Sequence, residues 1–249
     1  MLAVVCTTDL DIRAAWPAMR RATARYCGSA HLVLTERLSP REYVIHSVTR
    51  PGPNGSPEHC ITDIWAESRS PDGTLDRTDL LDRHQLLTRA LSMYLLRVLD
   101  ALGVVCGPVT SRIAYSEGRG PLLISALAAA PTASLADEIL RTATGEDRIA
   151  RALEAWHPTP LAELTPAPVP RRVVRVHLQA RAGDSVDPWL ARIVCQLPTV
   201  AAVSDALRAR TSAAATPDQP EVVLSSSESE AVEADYRVIR ALEREGLYR

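Results

Sequence analysis

Apolar and polar positions alternate with a period of two over two stretches early in the chain. Residues 43–48 read as a strand rich in Val and Ile, and residues 60–67 as the strand returning beside it. Residues 51–57 (PGPNGSP) are a turn by composition and join the two into a hairpin. Residues 32–34 read as a further short strand. The period changes to that of a helix over 80–102, where Leu87, Ala90, Leu91, Tyr94, Leu95 and Val98 share one face and Gly103 supplies the stop. Residues 9–24 carry the same period at Ile12, Trp16, Met19 and Ala22. Pro17 counts against that helix, because a proline in a helix interior removes a backbone hydrogen bond.

Strands follow around Ile113 and over 122–124, then helices over 134–144 and 146–156. Residues 157–171 (HPTPLAELTPAPVPR) form a Pro-rich connector that cannot stay helical. Beyond it, 172–178 and 221–225 read as strands, and 208–219 (RARTSAAATPDQ) as a low-complexity surface loop. A final amphipathic helix covers 227–245, with Ser227 and Glu230 at capping-box spacing. No internal repeat interrupts this order.

Composition narrows the chemistry. An apolar content of 46% over 249 residues supports a sizeable core, and with no Phe that core is built from Leu, Val, Ala and Ile. All 28 basic residues are arginine. Without lysine there is no P-loop phosphate grip and no lysine Schiff base. A net charge of −2, with no basic block, argues against nucleic acid as a partner. No apolar stretch is long enough to span a bilayer, and no signal peptide precedes the first element. Five scattered cysteines (Cys6, Cys27, Cys60, Cys106 and Cys195) lack metal-ligand spacing and read as reduced thiols, which places the protein in the cytoplasm.

The stretch from Tyr94, YLLRVLDALGVVCGPVTSRIAYSEGRGPLLISALAAA, resembles the core of the ATP-grasp ligases. Leu99 to Gly103 match that family's helix end, and Gly107, Pro108, Gly120 and Pro121 match its turns. The "VEADYRVIRALEREGLY" of the last helix is similar to the family's C-terminal helix, so the resemblance runs from about Val4 to Tyr248. It implies an α+β fold, a mostly antiparallel ATP-grasp-like sheet flanked by helices. It divides the chain into a central domain over 1–156, the connector 157–171, and a C-terminal subdomain over 172–249 packed on the same core. The family's N-terminal domain is expected to be lacking. The family's two magnesium-binding Glu positions are Arg112 and Ser125 here, and its Asn position is Leu127. Magnesium wants hard oxygen ligands, and a guanidinium, a hydroxyl and an isobutyl group do not supply them. The expectation is therefore a scaffold with no metal, no cofactor and no use of ATP, with Arg112 and Ser125 free to contact an anionic substrate or, for Arg112, to form a structural ion pair.

The hairpin carries the remaining candidates. Strict alternation sets His59, Ile61, Asp63, Trp65 and Glu67 on one face of the second strand. A carboxylate beside an indole is desolvated and has its pKa raised, which suits Glu67 to acid/base work; His59 is the alternative acid/base and Arg41 a clamp for a substrate carboxylate. Trp65 and Asp63 would line the substrate pocket. Glu67, His59 and Arg41 are also similar in type, order and approximate spacing to the groups of actinobacterial Pictet–Spenglerases, cofactor-free homodimers that condense tryptophan with an aldehyde to a β-carboline. That resemblance implies small-molecule amino acid and aldehyde partners and a homodimer. The alternative is a non-catalytic subunit derived from an ATP-grasp ligase and partnered with a carboxylate–amine ligase; a remodelled site that still binds ATP is a third reading.

Overall fold

The computed structural model describes residue 17 and residues 41–52, 54–116, 118–128, 134–156, 171–180, 184–209 and 220–248. All but the first belong to the unit Pro40–Arg249. The helix expected over 9–24 (residue 17 apart), the strand over 32–34, the connector over 157–170 and most of the loop over 208–219 lie outside the described residues.

The chain first lays down three consecutive strands, β1 (Arg41–Pro51), β2 (Pro57–Arg69) and β3 (Leu75–Leu80). Helix α1 (Leu86–Ala101) leads to the hairpin β4 (Gly107–Ser116) and β5 (Gly120–Ala128). Two short helices follow, α2 (Asp137–Thr144) and α3 (Arg148–Glu154). The last part contains β6 (Arg172–His177), α4 (Pro188–Gln196), β7 (Val200–Val203), α5 (Asp205–Ala209), β8 (Glu221–Ser226) and α6 (Ser229–Arg244). The strands form one eight-stranded sheet in the order β5-β4-β1-β2-β3-β6-β8-β7, with every pairing antiparallel. Residues 172–248 therefore join the first half through the β3–β6 pair rather than through a sheet of their own.

Both faces of the sheet are covered. On one, Leu91, Leu95 and Leu99 of α1 are fully buried against Tyr43, Ile45 and Ile113. Further along, α4 and α6 bury Leu190, Val194, Val232 and Ile239 against Val174, Val176 and Leu224. Truncating any of these leucines to Ala would cost about 2–5 kcal/mol, the transfer term plus the cavity left behind. On the opposite face, α2 covers Trp65, Val173 and Val223, and α3 covers Val48 through Ala152 and Ala155. Asp147 and Asp187 accept from the second and third backbone N–H groups after them, which starts α3 and α4 where the sequence places those carboxylates.

Three expectations change. The helix expected over 80–102 begins only at Leu86, because Leu80 ends a strand and Asp82 turns the chain, its Oδ1 accepting the His84 N–H at 2.9 Å. Ser227 and Glu230 form no capping box: α6 starts at Ser229 behind Glu228, which makes no side-chain cap. Strands β3 and β7 and helices α4 and α5 are additional to the elements expected from the sequence.

The fourth change matters most for function. Along β1 and β2, His46 pairs with Asp63 but Ser47 pairs with Ile61, leaving Thr62 without a cross-strand partner. β1 runs evenly against β4 through the same residues, so the extra residue belongs to β2. Such a bulge breaks the alternation. Asp63, Trp65 and Glu67 lie on the α2–α3 face, while Ile61 and His59 lie on the α1 face with Ser47 and Thr49.

Candidate functional site

Two polar clusters occupy the α2–α3 face. The first is centred on Arg112 of β4, which lies opposite Ser125 of β5 in register. Its guanidinium Nη2 donates to Glu67 Oε2 at 2.6 Å and to Glu42 Oε2 at 2.9 Å. Arg69 adds a second guanidinium, 2.8 Å from Glu67 and 3.5 Å from Glu42. Two positive and two negative groups thus close on one another. Glu42 and Glu67 reach this point because the β2–β1 register sets them directly across from each other. A like-charge pair in that position is destabilising without cations between, and Arg112 and Arg69 supply them. Glu67, its side chain 7% exposed, is a carboxylate spent on two arginines rather than one set beside the indole as the sequence had implied. Arg112 takes the role of a structural ion pair. Ser125 is exposed beside it, and Leu127 is 64% exposed. Among the described residues, no group of three or more His, Cys, Asp or Glu side chains is placed to hold a metal ion.

The second cluster is buried and was not anticipated. Asp63 Oδ1 accepts from His46 Nδ1 at 2.5 Å and from the Trp65 indole N–H at 2.6 Å, and Oδ2 accepts from Thr62 Oγ1 at 2.8 Å. Arg148 Nε lies 4.0 Å from Oδ2, and its Nη2 donates to Asp137 Oδ1 and to Ser134 Oγ. Burial pushes the Asp63 carboxyl up, but the His46 hydrogen bond and charge, the Arg148 guanidinium and the Thr62 hydroxyl together outweigh it and hold the group below the usual carboxylate range. With Asp63 ionised, the short contact places a proton on His46 Nδ1. The carboxylate beside an indole is therefore Asp63, and its environment favours the anion rather than a proton carrier. Trp65 is buried under α2, and Asp63, buried beside it, has its oxygens taken up by His46, Trp65 and Thr62, so both serve to tie α2 and α3 to the sheet.

The remaining candidates sit elsewhere. His59 accepts from Thr49 Oγ1 at Nδ1 (2.7 Å) and donates from Nε2 to Asp100 of α1 (3.1 Å), which clips the hairpin to the helix. Arg41 lies two residues before Tyr43 on the α1 face, where its positive charge acts on the Tyr43 phenol. The grouping of Glu67 with His59 and Arg41 is thus corrected: the Thr62 bulge sends His59 to the face opposite Glu67, and Arg41 stands on that opposite face as well. The only sequence signals for the buried cluster were a His inside the apolar run YVIHSV and an Asp before Trp65 on a core strand.

No protein-family model matches the chain, and no curated protein does. Solved structures do. An L-amino acid ligase from Bacillus licheniformis superposes at a TM-score of 0.61 with 17% identity, over 82% of this chain and 53% of that one. N5-carboxyaminoimidazole ribonucleotide synthetase, in an ADP complex, gives 0.65 with 15% identity over 97% of this chain and 57% of its own. N5-carboxyaminoimidazole synthetase from Staphylococcus aureus gives 0.63 with 12% identity, over 95% and 58%. The fold is ATP-grasp-like, as the sequence resemblance implied, and the chain spans just over half the length of these ligases. Among the described residues no helix is long and apolar enough to cross a membrane.

Proposed function

We propose that the chain is a ligase-derived pseudoenzyme, a non-catalytic subunit that works beside a carboxylate–amine ligase and does not carry out phosphoryl transfer itself. The observation that carries this reading is the Arg112 guanidinium held between Glu42 and Glu67. It stands at a position where the resemblance places a magnesium-binding carboxylate, and it delivers fixed positive charge to Glu42 and Glu67. A guanidinium is always protonated and matches carboxylates with a planar fork, so the charge cannot be exchanged as a metal's can.

The condensation of tryptophan with an aldehyde is supported less. Its acid/base carboxylate is engaged by two arginines, and its histidine and clamp arginine are on the other side of the sheet. Calorimetry with ATP and Mg²⁺ tests the proposal from one side: no magnesium-dependent binding is expected, and a saturable Mg²⁺-dependent isotherm would overturn it. Affinity purification from the native host tests it from the other, where a stoichiometric ligase subunit is expected and its absence counts against a partner role.

A further inference from the structure

We propose that the cleft between the starts of α1 and α6 binds a small phosphate-bearing anion. The cleft measures about 570 Å³, within the range of small-molecule sites. It lies apart from the Arg112 cluster. Ile61, Ile64, Leu80 and Leu81 give it an apolar part, and Arg83, Arg171 and Arg172 line it with three guanidiniums.

Those guanidiniums are not equally committed. Arg172 is held by Asp79 at 2.7 Å and Glu233 at 3.2 Å, which fixes it in place. Arg83 makes one hydrogen bond, to the Thr144 carbonyl at 3.0 Å, stands 4.0 Å from Glu146 and remains half exposed. Arg171 is exposed and makes no ion pair among the described residues. The acids lining the cleft are Asp63 and Asp82. Asp63 is taken up by His46, Trp65 and Thr62; Asp82 Oδ1 accepts the His84 N–H but keeps its charge, which offsets one of the two guanidiniums, Arg83 and Arg171, that Asp79 and Glu233 do not hold. Positive charge is therefore left over.

Backbone groups add to it. Helices α1 and α6, each of 16 residues, begin behind Gln85 and Glu228 with no side-chain cap, and Gln85 and Ser229 line the cleft. First-turn N–H groups without a cap carry the positive end of the helix dipole, which α1 presents with no acid in its first turn and α6 presents beside Glu230. The cleft thus joins two under-committed guanidiniums, serine hydroxyls and two helix starts. That surplus of donors exceeds what one carboxylate accepts and suits a phosphate, with its additional oxygen and second charge. The apolar part leaves room for an organic remainder.

The test is titration calorimetry of the full chain with pyrophosphate and with inorganic phosphate, without divalent cations and against sodium chloride of matched ionic strength. Saturable binding is expected, weakened about tenfold by Arg171→Ser and by Arg83→Gln. Both side chains are largely exposed, so circular dichroism should show the variants folded. Absence of saturable binding at about 10 mM ligand overturns the proposal, as does binding that both substitutions together leave unchanged. Binding that appears only with Mg²⁺ and survives both substitutions overturns it too, and it would count against the pseudoenzyme reading as well. Magnesium-independent binding lost with Arg171 leaves that reading untouched.

Discussion

Replacing Asp63 should unlock the α2–α3 face, and two substitutions separate the reasons. In Asp63→Ala the Trp65 indole N–H and the His46 imidazole lose their acceptor inside the protein, and Arg148, among the described residues, is left with Asp137 and Ser134. One orphaned buried donor costs about 1–3 kcal/mol, and removing the anion from a buried charged group adds a similar amount, so the total should reach about 3–5 kcal/mol. Asp63→Asn is nearly isosteric. Its Oδ1 can still accept from His46 and Trp65, while its amide replaces the oxygen that faces Arg148 and accepts from Thr62, so the charge and that one hydrogen bond change and about 1–2 kcal/mol is expected. Urea unfolding at neutral pH, followed by the fluorescence of Trp65 and by far-ultraviolet circular dichroism, measures both. Trp65 is 2% exposed whereas Trp156 and Trp189 are more than two-thirds exposed, so a blue-shifted component should report on this region.

The same carboxylate sets an acid limb of stability. Its folded pKa lies below the unfolded value of about 3.9, so the unfolded chain binds more protons as the pH falls and stability is lost there. The contribution is fully present above the unfolded pKa and disappears as the pH drops through the lower, folded one. Asp63→Asn should flatten that limb relative to the parent protein. A cost below about 1 kcal/mol for Asp63→Ala, or equal costs for Ala and Asn, would refute the argument that hydrogen bonding and charge, rather than shape, hold this face together.

Three further outcomes are expected. Arg112→Glu brings a third carboxylate beside Glu42 and Glu67 and should destabilise by about 2–4 kcal/mol, with part of the loss restored by millimolar Mg²⁺; thermal melts with and without the ion decide it, and no response to Mg²⁺ would show that the guanidinium does not stand in for a cation. His177 is driven down to about 4 by burial, with Arg175 and Arg240 adding to it. Its folded pKa is below the unfolded one, so stability should fall by about 1–3 kcal/mol between pH 6.5 and pH 4, and His177→Gln should remove that slope in a pH series of urea melts. Incubation with tryptophan and aldehydes should yield no β-carboline above the uncatalysed background by mass spectrometry; a product that vanishes in Glu67→Ala would reverse the reading of that carboxylate.

How much of this could be read from the chain follows from which interactions are local. The hairpin of β1 and β2, the apolar stripe of α1 and the turns at Gly103 and Gly120 rest on periodicity and on glycines at φ 68° and 74°, and the sequence displays both. Strand β3 (LDRTDL) does not read as a strand, and only its Leu80 falls in the helix expected over 80–102, because three of its six residues are charged and its partners, β2 and β6, lie at both near and far sequence distance. Its Arg77 and Asp79 are satisfied by Glu233, more than 150 residues away, and by Arg172. No window of sequence contains that pairing. The site was misread for a different reason. Faces assigned by counting residues in twos hold only while the ladder is regular, and one extra residue at Thr62 moves every side chain before it to the other side. Nothing in HCITDIW announces the bulge by composition, since it contains no Gly or Pro. What the bulge achieves is physical: it directs the Thr62 hydroxyl to both the His46 carbonyl and Asp63, and so completes the acceptor and donor set of a buried carboxylate. A catalytic grouping on this hairpin would need an even ladder, and the same irregularity that satisfies Asp63 separates His59 from Glu67. The hairpin therefore holds α2 and α3 in place through Asp63 and Arg148.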